Sequence, residues 1–142
     1  MSEIVFVFGT LKQGFRNAHV NQGQRLPGRW CTRQPHPLLI AGPRCLPWLL
    51  QRPGQGLPVI GEVYSVDAAT LQRMDTLERI DTPGWYERRR IEVQGMDGST
   101  AALQPWVYFG SEAGFVGLQV HLGPIGEYLL EHQSLYPPEA EG

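Results

Sequence analysis

No segment of this sequence reaches 18 consecutive apolar residues, the length at which a run reads as a membrane-spanning helix. Met1-Ser2-Glu3 carries neither the basic stretch nor the long apolar core of a secretory signal, and the expectation is a cytoplasmic protein that does not enter a membrane. The two cysteines, Cys31 and Cys45, fit neither a C-x-x-C redox pair nor a zinc pattern, so both are expected to be reduced and structural. Four histidines make no H-E-x-x-H or comparable ligand set, and no metal is implied. Positive charge is scarce as well. The formal net charge is −2, and "ERRR" (Glu87 to Arg90) is the only dense cationic run, expected to form a solvated strand edge with some inner pairing rather than a nucleic-acid surface.

What is present is an ordinary globular composition, 42% hydrophobic and 18% charged over 142 residues, enough for one domain with its own core. No repeat, low-complexity segment or linker divides it. "EIVFVF" reads as a central strand buried on both faces. "RWCTRQ", "PLLIAG", "PWLLQ" and "PVIGEVYSVD" follow as short strands punctuated by Pro and Gly. The best helix signal is "DAATLQRMDTLERI", capped by Asp67, with Leu71, Met74, Leu77 and Ile80 on one apolar face. "WYERRRIEVQ" and "AALQPWVYF" read as strands joined by "GMDGST", where Asp97-Gly98 signals a hairpin and Pro105 argues for a bulge or an edge position. "GPIGEYLLEHQ" suggests one more short helix, and the tail from about 137 is expected to be loose. Six or more short strands with two clear helices predict an α+β domain spanning 1–142, built on a closed or strongly curled mixed sheet.

The stretch "VFVFGTLKQG" places Gly9 and Gly14 where a phosphate-binding loop has its glycines, but Phe15 and Arg16 stand where that loop needs Lys and Ser or Thr. Nucleotide binding is therefore excluded as its purpose. A glycine straight after a buried strand permits a sharp turn. The segment is then either a plain β-turn or a nest in which the amides of Gly9, Thr10 and Leu11 receive negative charge, a carboxylate or an oxyanion. Downstream, Asp75 and Glu78 lie three apart near the end of the helix. Glu78 follows Leu77 and so borders the buried face; taken alone, such a residue is either a solvated helix end or a group reaching the sheet.

"VFVFGTLKQG", "LLIAGPRCLPWLL", "GEVYSVD" and "LQRMDTLERIDTPGWYERRRIEV", in this order and spacing, resemble the γ-glutamylcyclotransferase superfamily, and within it the γ-glutamylamine cyclotransferase branch. The resemblance covers about residues 4 to 94. It implies a small mixed β-barrel with flanking helices, no cofactor, and a small-molecule γ-glutamyl substrate; it implies nothing about oligomeric state. By motif position, Gly9, Thr10 and Leu11 supply amides to the glutamyl moiety and Glu78 is the acid/base. The family usually reads Y-G-T-L; Phe8 stands here instead, walling the cavity without a hydroxyl. Trp85 and Tyr86 are candidate pocket walls or simple strand packing.

The implied reaction is ring closure: the substrate's α-amine attacks its own γ-carbonyl, giving 5-oxoproline and a free amine, so catalysis consists largely of holding one molecule in attack geometry. An ordinary Glu near 4.3 lies roughly 3.5 units below that amine, about 5 kcal/mol against the proton transfer, which burial is able to offset. Glu62, in "GEVY", is a competing base or an internal hydrogen-bonding residue, and Asp75 is expected on the helix surface. Asn17 and His19 are candidate braces of the loop. The alternative functions are a related lyase or transferase acting on another acylated amine, or a non-catalytic module that binds small molecules.

Overall fold

The computed structural model describes residues 2–97 and 102–136; the expected hairpin tip at Gly98 and the expected loose tail from about 137 lie outside these residues. In chain order the elements are β1 (Glu3–Val7), a 3₁₀ turn (Ala18–Val20), β2 (Gln24–Arg25), β3 (Trp30–Thr32), β4 (Leu38–Ala41), β5 (Leu46–Leu49), β6 (Ile60–Val66), α1 (Ala68–Leu77), β7 (Tyr86–Arg90), β8 (Val93–Gly95), β9 (Trp106–Gly110), α2 (Glu112–Phe115), β10 (Val120–Leu122) and α3 (Leu130–Gln133). The described strands make two sheets. The larger runs β7-β9-β1-β6-β3-β8, with β2 also paired to β6; the smaller runs β10-β4-β5. The fold is the expected α+β type, a strongly curved mixed sheet with few helices.

β1 is central, as its apolar run predicts. It pairs antiparallel with β6 through five residue pairs and parallel with β9 at Val5 and Trp106. The two-residue period of the strand sends its side chains into two different cores. Val5 and Val7 join Trp48, Leu50, Tyr64, Met74, Tyr86 and Tyr108, while Phe6 and Phe8 join Trp30, Leu38, Ile40, Leu49, Val63 and Phe109. α1 covers the first of these cores. Asp67 caps it by accepting from the Thr70 N–H at 2.8 Å, and Leu71 and Met74 face inward. Met74 is fully buried, so truncating it to Ala is expected to cost about 2–5 kcal/mol.

The structure corrects four local expectations. Leu77 is 36% exposed and leaves the core stripe, because the helix ends on that turn. The "WYERRRIEVQ" strand breaks after Arg90 into β7 and β8. Pro105 stands just ahead of β9, and β9 lies between β7 and β1 rather than at an edge; a proline at a strand's entry removes no ladder donor. The helix expected over "GPIGEYLLEHQ" shrinks to Leu130–Gln133.

Candidate active site

Three neighbouring strands of the larger sheet, one strand of the smaller and one helix end converge on a cavity of about 920 Å³. β1 runs into the glycine loop, which forms one wall with Phe8, Gly9, Thr10 and Leu11. The end of α1 brings Glu78, and the start of β7 brings Trp85 and Tyr86. Tyr108 comes from β9, and Pro47 from β5. Every site residue expected from the sequence therefore lines one cavity. Its inner part is buried, with Phe6, Val7, Phe8, Gly9, Leu11, Pro47, Tyr86 and Tyr108; its outer part is exposed, with Arg16, His19, Arg44, Leu77 and Arg79.

The loop is fixed by bonds that leave its donors available. Lys12 N–H donates to Gly9 C=O at 3.2 Å and Asn17 N–H to Thr10 C=O at 2.9 Å. Asn17 Nδ2 also donates to Thr10 Oγ1 at 2.9 Å, and Asn21 Nδ2 to Leu11 C=O at 3.3 Å. All of these engage carbonyls or a hydroxyl. Among the described residues, the N–H groups of Gly9, Thr10 and Leu11 donate to nothing. Asn17 is thus the brace the sequence suggested, while His19 lies on the cavity rim. At Gly9 a side chain would meet Pro47 Cγ at 3.0 Å, so glycine here keeps the two walls close. Lys12 points away from the cavity. It is buried, its Nζ donates to Tyr128 C=O and sits 4.3 Å from the Phe15 ring centre, and burial lowers its pKa.

Glu78 is the last residue of α1's cap, and the helix closes behind it in a Schellman arrangement. Arg79 N–H donates to Thr76 C=O at 3.2 Å and Ile80 N–H to Asp75 C=O at 3.3 Å, with Arg79 at φ 54°. A left-handed arginine costs about 1–3 kcal/mol where glycine would cost little, and the reversal turns the chain sharply just after Glu78. Among the described residues, the Glu78 carboxylate has no hydrogen-bond or ion-pair partner. Desolvation by burial pushes its pKa up to about 7. Two phenols feel it. Tyr86 is raised well above its ordinary value by burial, with the Glu78 charge adding to the shift. Tyr108 is raised by burial, then by its bond to Asp75, and further by Glu78. Tyr86 Oη donates to Pro47 C=O at 3.0 Å and its ring packs 4.8 Å from that of Trp48, which holds the aromatic wall in place.

The competing carboxylates are engaged elsewhere. Glu62 Oε1 accepts from Gln13 N–H at 2.9 Å and from Tyr64 Oη at 2.8 Å, with Arg25 Nη2 3.6 Å from Oε2. Asp75 is not a free surface group: Oδ1 accepts from Tyr108 Oη at 2.7 Å and Oδ2 lies 3.1 Å from Arg88 Nη1. The tyrosine that makes this contact lies 33 residues away, beyond the reach of helix periodicity. The sequence reading also missed Tyr108, Tyr136 and the three arginines of the rim, which are identified by their place in the cavity lining.

This chain matches the family described as Gamma-glutamyl cyclotransferase, AIG2-like, over residues 5–125. It is 41% identical over 98 residues to a protein of Mus musculus named Gamma-glutamylaminecyclotransferase, a stretch covering 66% of this chain and 64% of that one, just under two thirds of its length. To the Homo sapiens protein of the same name it is 44% identical over 110 residues, 72% of this chain and 69% of the relative. The crystal structure of an AIG2-like protein from Mus musculus superposes with a TM-score of 0.72 at 32% identity, covering 99% of each chain.

Proposed function

The chain belongs to the Gamma-glutamyl cyclotransferase, AIG2-like family, and from that premise we propose that it converts a γ-glutamyl amide, of the γ-glutamylamine type, into 5-oxoproline and free amine. The relatives' shared name supports the substrate class. The observation that supports the reading is that Glu78, unpartnered and shifted by desolvation, lines the same cavity as Gly9, Thr10 and Leu11, whose amides donate to nothing among the described residues.

The chemistry follows from these two elements. The α-amine of the substrate is mostly protonated at neutral pH, with a pKa near 7.7 to 8.0. A carboxyl held near 7 lies only about one unit below it, leaving roughly 1.4 kcal/mol against the transfer. Glu78 takes the ammonium proton so that the free amine attacks the γ-carbonyl, delivers that proton to the departing nitrogen as the C–N bond breaks, and then takes the second proton of the ring nitrogen, which passes to the released amine. The carbonyl oxygen gathers charge on the way, and the Gly9, Thr10 and Leu11 amides are the donors proposed to receive it. Each well-aimed donor of this kind is worth about 3–4 kcal/mol. Phe8, Trp85 and Tyr86 exclude water from the reacting atoms, which strengthens both interactions. Cys31 and Cys45 are free thiols, in keeping with a reducing compartment, taken here as the cytoplasm.

The test is release of 5-oxoproline from γ-glutamyl-lysine and from a γ-glutamyl-alkylamine. Turnover that depends on Glu78 supports the reading. Binding of 5-oxoproline without any turnover would instead favour a non-catalytic pocket.

A further inference from the structure

The arginines of this protein divide into two groups. Seven of the eleven sit within ion-pair distance of a carboxylate. Among the described residues, Arg16, Arg44, Arg73 and Arg79 do not. Three of these four, Arg16, Arg44 and Arg79, line the exposed rim of the cavity described above, whose lining among the described residues includes no acid besides Glu78. Unpaired cations are thus gathered at one place rather than scattered over the surface.

Aromatic groups rather than carboxylates hold them there. The Arg16 guanidinium lies 3.6 Å from the Tyr136 ring centre, Arg79 lies 4.8 Å from that of Trp85, and Arg44 Nη1 donates to Tyr136 Oη at 3.1 Å. Stacking covers a guanidinium face and leaves its N–H edge free to donate in plane, the geometry that receives a carboxylate. The reacting groups are assigned to the buried glycine loop and to half-buried Glu78, next to Arg79 at the edge of the rim, so with the glutamyl half held inward the rim is what the departing half of the substrate meets.

Resting on the proposed cyclotransferase reaction, we infer that Arg16, Arg44 and Arg79 form a leaving-group subsite that selects γ-glutamyl amides whose departing amine carries an acid group. A neutral alkylamine gains nothing from this rim, and an amine with a second ammonium is repelled by it.

Three amides of matched length test this: the γ-glutamyl conjugates of γ-aminobutyrate, butylamine and putrescine, whose far ends are anionic, neutral and cationic. Exposed ion pairs are each worth up to about fivefold, so kcat/KM for the γ-aminobutyrate amide is expected about tenfold above that for the butylamide, with the putrescine amide below both. The spread should shrink at about 1 M salt, where screening acts within about 3 Å. Arg16→Gln combined with Arg44→Gln, and separately Arg79→Gln, should bring the ratio of anionic to neutral substrate toward one. That ratio is internal to each preparation, so partial misfolding of a variant does not move it. Equal kcat/KM for all three amides would overturn the inference, as would arginine variants that depress all three alike, since the arginines would then serve the glutamyl carboxylate. If the wild-type protein turns over none of them, the proposed reaction fails on its own. Calorimetric binding of the same three amides to Glu78→Gln then decides the rim: tighter binding of the anionic amide upholds it, and equal binding rejects it.

Discussion

Glu62 bonds the segment that follows the glycine loop and Glu78 shares a cavity with that loop, and they have opposite surroundings. On the β6 side, Glu62 accepts two hydrogen bonds and has an arginine beside it, one of the bonds coming from the loop's own Gln13 amide. In the cavity, Glu78 has no such partner among the described residues and is moved by burial to about 7. A carboxylate whose oxygens are occupied holds structure together; one that is dry and unoccupied is available to exchange a proton. The two identical side chains thus differ in the partners supplied to them.

The largest expected effect breaks the comparison at its reactive end. Glu78→Gln keeps the shape and removes the proton acceptor, so turnover should fall by about 10² to 10⁴ with the fold intact. In the wild-type protein, kcat/KM should drop as pH falls through about 7, where Glu78 takes up its proton. Retention of wild-type turnover in the variant, or a profile flat through that region, would remove Glu78 from the reaction.

A second measurement reads the same residue through stability. A carboxyl raised from 4.5 to about 7 favours the folded state fully only below the unfolded value; that advantage is lost as pH rises through 7. Well above 7, keeping it ionised costs the native protein roughly 3 kcal/mol. Glu78→Gln should therefore be more stable than the wild type at pH 8 in urea titrations, by up to about 3 kcal/mol, and little different at pH 4. Equal stability at both would show that the carboxylate is well solvated.

At the structural end, Glu62→Ala leaves Gln13 N–H and Tyr64 Oη without their acceptor and should cost about 1–3 kcal/mol, with turnover per folded molecule retained. Loss of turnover without loss of stability would erase the distinction between the two glutamates. The smallest effect is expected from Asp75→Asn, about 1 kcal/mol, because one charge-assisted bond to Tyr108 is weakened while its geometry persists. Double-mutant coupling between Asp75→Asn and Tyr108→Phe measures it directly.

Much of the scaffold was legible because its signals are local. β1 announces itself as an unbroken apolar run, Asp67 as a cap, Gly9 as the end of a buried strand. The pairing of Gly9, Thr10 and Leu11 with Glu78 was legible only through resemblance, since no local pattern brings together positions some seventy residues apart. Composition at those positions was silent on what surrounds them. Asp75 looked like helix surface because its partners, Tyr108 and Arg88, arrive from other strands, and the rim was invisible because Arg16, Arg44, Arg79 and Tyr136 come from four separate segments. Leu77 misled for a different reason: helical spacing extends an apolar stripe past the turn where the helix stops.

Lys12 is anchored on the carbonyl of Tyr128, and Arg16 is met by Gln133 and Tyr136, so the loop near the start of the sequence is completed by residues more than a hundred positions later. During synthesis, β1 and its turn emerge early but wait for those partners, and contacts of such long separation are slow to close. The first part of the pocket to be made is thus among the last to acquire its final shape.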